Sequence, residues 1–93
     1  MVTHIVIFRW ASGVTDGQIS ALGEELDCLA RELGTTIRHG RDLAFRDGNG
    51  DYALVATFAD QAAWNAYQAH PRHQAFVRDV VTPLQASRLT IQF

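Results

Sequence analysis

Ninety-three residues with a net charge of −2 provide for one modest core and one small domain, spanning 1–93. The eight basic residues are all arginines, scattered along the chain, so the electrostatic footprint of a nucleic-acid binder is missing. Cys28 is the sole cysteine and has no partner for a disulfide, and the opening apolar run is too short for a membrane span. These bounds predict a cytoplasmic protein with neither nucleic acid nor membrane as partner.

The chain opens on β-branched and aromatic residues, which predict a strand over 2–10. His4, Val6, Phe8 and Trp10 share one face, while Thr3, Ile5, Ile7 and Arg9 share the other. Both faces are mostly apolar. One layer of helices covers only one of them, so the second face calls for another cover, and a second copy of the chain is the simplest. Thr15 is then a good N-cap for a helix whose apolar stripe is Ile19, Leu22, Leu26, Leu29 and Leu33, stopped at Gly34.

A weaker pattern over 36–45 reads as a second strand, irregular at Gly40, with His39 exposed; residues 46–51 read as a turn. Residues 52–58 predict a third strand, with Tyr52, Leu54, Ala56 and Phe58 on one side. Asp60 caps a helix over 61–69, and Pro71 cannot continue it but suits the first turn of another, over 71–81. Residues 87–93 alternate into a last strand with Leu89, Ile91 and Phe93 on one side. The order β-α-β-β-α-β is the ferredoxin-like arrangement, an α+β fold with a four-stranded antiparallel sheet.

The tract from Ala66 to Phe76 gathers a tyrosine, two histidines and a proline at the junction of two helices, beside Trp64 and Phe76. Apolar walls with a few titratable groups are the usual composition of a small-molecule site. The plainer reading of the same residues is structural: His70 and His73 capping a helix, Tyr67 and His4 satisfied in the core. A metal site from His4, His70 and His73 would have no carboxylate among its ligands and no cysteine at zinc-ligand spacing.

Three stretches together resemble the stress-responsive dimeric α/β-barrel (Dabb) family: residues 4–10, residues 51–58, and the string Tyr67-x-x-His70-Pro71-x-His73-x-x-Phe76. The resemblance runs nearly end to end. It implies a homodimer in which two four-stranded sheets face each other as a barrel with helices outside. A plant branch of the family cyclises polyketides by an intramolecular aldol reaction, and its catalytic tyrosine and histidine correspond to Tyr67 and His73. A pocket histidine of its first strand corresponds to His4, whereas its third-strand pocket histidine is replaced here by Tyr52. Many bacterial members have no established activity.

The resemblance thus implies a small hydrophobic or polyketide-like ligand, with Val6, Phe8, Tyr52, Leu54, Trp64 and Phe76 as expected walls. His73 would act as base, kept neutral by the positive end of its helix, and Tyr67 would donate to an oxyanion. His4 would join them from the sheet, and neither metal nor other cofactor is called for. A non-catalytic ligand-binding module remains the alternative, with a cofactor-free oxygenase behind it.

Overall fold

The computed structural model describes residues 1–93. Four strands, β1 (Val2–Trp10), β2 (Thr36–Arg41), β3 (Tyr52–Phe58) and β4 (Gln85–Gln92), form one antiparallel sheet in the order β2-β3-β1-β4. Helix α1 (Asp16–Leu33) follows β1, and α2 (Gln61–Ala69), α3 (Pro71–Phe76) and a π-helical segment, Val77–Val81, follow β3. This is the ferredoxin-like α+β fold.

Local chemistry fixes most boundaries. Thr15 and Gln18 form a capping box at the start of α1, with the Gln18 amide donating to Thr15 Oγ1 (3.2 Å) and the Thr15 amide donating to Gln18 Oε1 (2.9 Å). Gly34 ends α1 in the left-handed conformation, φ +62°, where its amide reaches the carbonyls of Ala30 and Arg31. Asp60 caps α2 through the Ala63 amide.

Strand β2 is shorter than its sequence pattern. Gly40 pairs regularly with Ala53, and the strand ends at Arg41. Asp42 then turns the chain, accepting from the Ala44 amide and the Asn49 side chain, each at 3.0 Å. This local side-chain bonding competes with the ladder, and Ala44 takes φ +57°. Leu43 and Phe45, which the alternation assigned to the strand, stand exposed in the loop.

The last helix also differs from a single run over 71–81. Beyond Phe76 it widens into the π turn, closed by the Thr82 amide donating to the Val77 carbonyl (2.9 Å).

The core lies on one face of the sheet. Leu22, Leu26 and Leu29 of α1 pack into a cluster with Val6, Phe8, Leu54, Ala56, Phe58, Tyr67 and Phe76. Coverage fails at the edge strand, for β4 is exposed along nearly its whole length. There the sheet and the α2–α3 layer part, and a hollow opens between them.

Candidate functional site

The hollow measures about 650 Å³ and is open on one side. Its floor comes from alternate residues of three strands: His4, Val6 and Phe8 of β1, Leu54 of β3, and Arg88, Thr90 and Gln92 of β4. Register explains the grouping, because His4 lies opposite Gln92, Val6 opposite Thr90 and Phe8 opposite Arg88. The roof is Trp64, Tyr67 and Gln68 of α2, His73, Gln74 and Phe76 of α3, and Val77, Arg78, Val81 and Thr82 of the widened turn.

Pro71 allows Tyr67 and His73 to face each other. It breaks the helix, and His70 bridges the break by accepting the Arg72 amide at Nδ1 (3.0 Å), which leaves His70 a capping residue. Arg72 anchors the second piece to α1, with Nε donating to Glu32 (2.7 Å) and Nη2 to Glu25 (3.0 Å). The Tyr67 and His73 rings then lie 4.1 Å apart between centroids, tilted by 42°. Phe58 backs Tyr67 at 5.0 Å, and His4 meets Phe58 and Trp64 edge-on.

Burial sets the protonation of these groups. The Tyr67 phenol is pushed up to about 12 by desolvation, so it keeps its proton. His73 is held below the ordinary imidazole range, first by burial, and further by the positive Arg88 and by the neighbouring imidazoles of His4 and His70, which disfavour joint protonation. The nearby Gln68 backbone pulls the other way. Helix α3 has only six residues, and burial rather than a helix end dominates the neutrality of His73. Its Nδ1 is buried without a hydrogen-bond partner, and the ring lines the hollow.

His4 is likewise lowered by burial and by Arg88. Its Nδ1 lies 3.4 Å from Trp64 Nε1, which can only donate, and 2.9 Å from Gln92 Nε2. Nδ1 is therefore the acceptor, and in the neutral ring Nε2 carries the hydrogen.

Three readings need correction. Tyr52 does not line the hollow, although it was expected among its walls. Its hydroxyl is 2.6 Å from His39 Nδ1, and His39 Nε2 is 2.7 Å from Asp27 Oδ1. This chain draws the phenol beneath α1, beside Gly23. For the same reason His39 is not exposed; its side chain is 15% accessible. The metal alternative also fails on geometry, for no three ligating side chains come together and His70 borders a separate groove. The other expected wall residues, Val6, Phe8, Leu54, Trp64 and Phe76, all line the hollow.

Gln68, Gln74, Val77, Arg78, Val81, Thr82, Arg88, Thr90 and Gln92 also line the hollow but were not expected among its walls. The signal was present for the strand residues, since the alternation that puts Leu89 and Ile91 on one face puts Arg88, Thr90 and Gln92 on the other.

Residues 2–93 match the family profile of the stress responsive A/B barrel domain, Dabb. No curated protein sequence matches the chain significantly. Among solved structures, a dimeric ferredoxin-like protein of unknown function from Thermobifida fusca is 33% identical. That match covers 99% of this chain and 88% of the other, with a TM-score of 0.90. A dimeric ferredoxin-like protein of unknown function from Jannaschia is 29% identical, covering 99% and 96%, with a TM-score of 0.79. The hydroxynitrile lyase of Passiflora edulis superposes with a TM-score of 0.87 over 99% and 90% of the chains, but at 20% identity it shares the fold alone.

Proposed function

Because the chain belongs to the stress-responsive A/B barrel (Dabb) family, we propose that it is a homodimer whose hollow binds a small, largely apolar carbonyl compound and closes it by an aldol-type reaction. The observation that carries the reading is the Tyr67–His73 pair, 4.1 Å apart, in a cavity of about 650 Å³. By motif this pair resembles the catalytic tyrosine and histidine of the plant polyketide cyclase olivetolic acid cyclase.

Chemistry follows from the protonation states. Neutral His73 takes, at Nε2, a proton from a carbon flanked by two carbonyls of a poly-β-keto substrate. The Tyr67 hydroxyl and His4 Nε2–H donate to the enolate oxygen, where charge develops. The enolate carbon attacks a distal carbonyl of the same molecule, forming one carbon–carbon bond. The resulting alkoxide recovers the proton from the His73 imidazolium. The proton balance closes on His73 alone.

The dimer is supported by the sheet's outer face, which exposes Ile7, Leu89, Ile91 and Phe93, and by the dimeric relatives. The decisive experiment replaces His73 by alanine and follows turnover of an accepted poly-β-keto substrate in folded protein. Turnover is expected to vanish; unchanged turnover discards His73 as base.

A second reading, ligand binding without conversion, is favoured by one observation. Tyr52 is held beneath α1, so the third-strand position where the plant cyclases carry a pocket histidine supplies nothing to this hollow. Recovery of bound ligand unchanged after long incubation supports this alternative, and a protein-dependent product rejects it.

A further inference from the structure

Two of the residues lining the hollow carry full positive charge, Arg78 and Arg88, and no aspartate or glutamate lines it. Arg78 is neutralised by its neighbour, with Nε and Nη2 donating to the two oxygens of Asp79 at 2.8 and 3.0 Å. None of the chain's ion pairs uses Arg88. Strand register fixes its direction, since Arg88 lies opposite Phe8 and shares the hollow's floor with Thr90 and Gln92. One guanidinium without a counter-charge, on the exposed edge strand, therefore borders a hollow of mixed polar and apolar lining in a protein whose net charge is −2.

We propose that Arg88 is an anion-binding residue and that the ligand of this hollow is a monocarboxylate with an apolar body. The proposal deepens the ligand-binding reading above and rests on it. A guanidinium fork matches a carboxylate with two parallel hydrogen bonds. Charge selects the class: one free cation balances one negative charge. The two imidazoles of the site add none, being held neutral by burial. A phosphate dianion would leave charge unmatched beside Val6, Phe8, Trp64 and Phe76. For the aldol reading, this means an acid whose carboxylate sits over β4 while its enolisable carbon reaches His73.

The test compares 4-phenylbutanoate, its uncharged isostere 4-phenylbutanamide, and 3-phenylpropyl phosphate by calorimetric titration of the 93-residue protein. Wild type is expected to hold the acid about tenfold to a hundredfold more tightly than the amide, the range of a charge-assisted contact. R88M is expected to erase that preference, R88K to keep part of it, and R46M, at an arginine outside the hollow's lining, to leave it intact. H73A is expected to keep it, so failure of His73 as base and failure of Arg88 as anion site are read separately. Equal binding of acid and amide, no binding of any probe, preference for the phosphate, or acid preference surviving in R88M would each overturn the proposal. Unfolding curves for R88M and R88K identify any variant whose loss reflects misfolding, and R88K then carries the test.

Discussion

Nδ1 of His39 lies 2.6 Å from the hydroxyl of Tyr52, and this contact decides which aromatic groups the hollow receives. The rings stack with centroids 5.9 Å apart, and Asp27 holds the other imidazole nitrogen at 2.7 Å. Tyr52 is thereby committed to the α1 side, where it is buried and its phenol is raised by desolvation and by Asp27, with Arg41 opposing.

Gly23 gives the contact its room. A methyl group there would meet Tyr52 Oη at 3.0 Å and His39 Cε1 at 3.4 Å. In a helix interior, alanine is otherwise better than glycine by about 1 kcal/mol. In wild type, G23A must push a hydroxyl held by His39 and is expected to lower the urea midpoint. In Y52F the missing oxygen makes room, and G23A is expected to raise the midpoint of that background. Y52F itself is expected to cost about 1 kcal/mol by leaving His39 Nδ1 unpaired. Equal stabilisation by G23A in both backgrounds would remove the hydroxyl as the cause.

This contact also marks the limit of what the sequence reveals. The stripe of α1, its Thr15 cap and the break at Pro71 are written in near neighbours, because capping and helical periodicity act over three or four residues. The burial of His39 depends on partners 12 and 13 positions away, and nothing local signals it. The loop after Arg41 misleads for a different reason: Leu43 and Phe45 continue an alternating pattern, but Asp42 captures the backbone first. Of the site, the tyrosine–histidine string was legible. Arg88 was legible only through strand alternation, and its freedom from any counter-charge requires the fold.

Acidification should destabilise the fold through His4 and His73. Both are lowered chiefly by burial, whereas in the unfolded chain they titrate near the ordinary value of 6.5. Between the folded and unfolded values, the unfolded state binds protons that the native state refuses, so stability rises with pH. Their full contribution is present above about 6.5 and is lost as pH falls below it. Urea midpoints are expected to drop from pH 7.5 to pH 5.5, with a shallower drop for H73Q. Imidazole resonances of the native protein that titrate at or above 6.5 for these two residues would contradict this.

Tyr67 predicts the behaviour at high pH. With its phenol at about 12, the group stays a donor throughout the range in which ordinary tyrosines ionise. If the aldol reading holds, turnover of an accepted substrate shows no decline near pH 10 attributable to Tyr67. Y67F, which removes the donor while keeping the ring against His73, is expected to lower kcat by roughly a hundredfold to a thousandfold, with ligand affinity little changed. A small loss in Y67F, or a loss confined to KM, would reassign the phenol to packing.

The outer sheet face predicts the state of assembly. Ile7 lies opposite Leu89 and Ile5 opposite Ile91, so four apolar side chains line up across β1 and β4 on the side without helices. Leu89 is 71% exposed, Ile91 57% and Ile7 40%, and the loop's Leu43 and Phe45 border the same groove as Ile7. Fully burying an isoleucine contributes about 1.5–3 kcal/mol, and a twofold axis counts each residue twice. I91R removes that contribution and places one unpaired cation from each copy in the interface. Light scattering during gel filtration is expected to give a dimer for wild type and a monomer for I91R. The urea midpoint of wild type is expected to rise with protein concentration and that of I91R to be lower and independent of it. F45D probes the rim and is expected to weaken the dimer less than I91R does. A monomeric wild type, or an I91R dimer of unchanged stability, would mean that something other than a second copy covers this face.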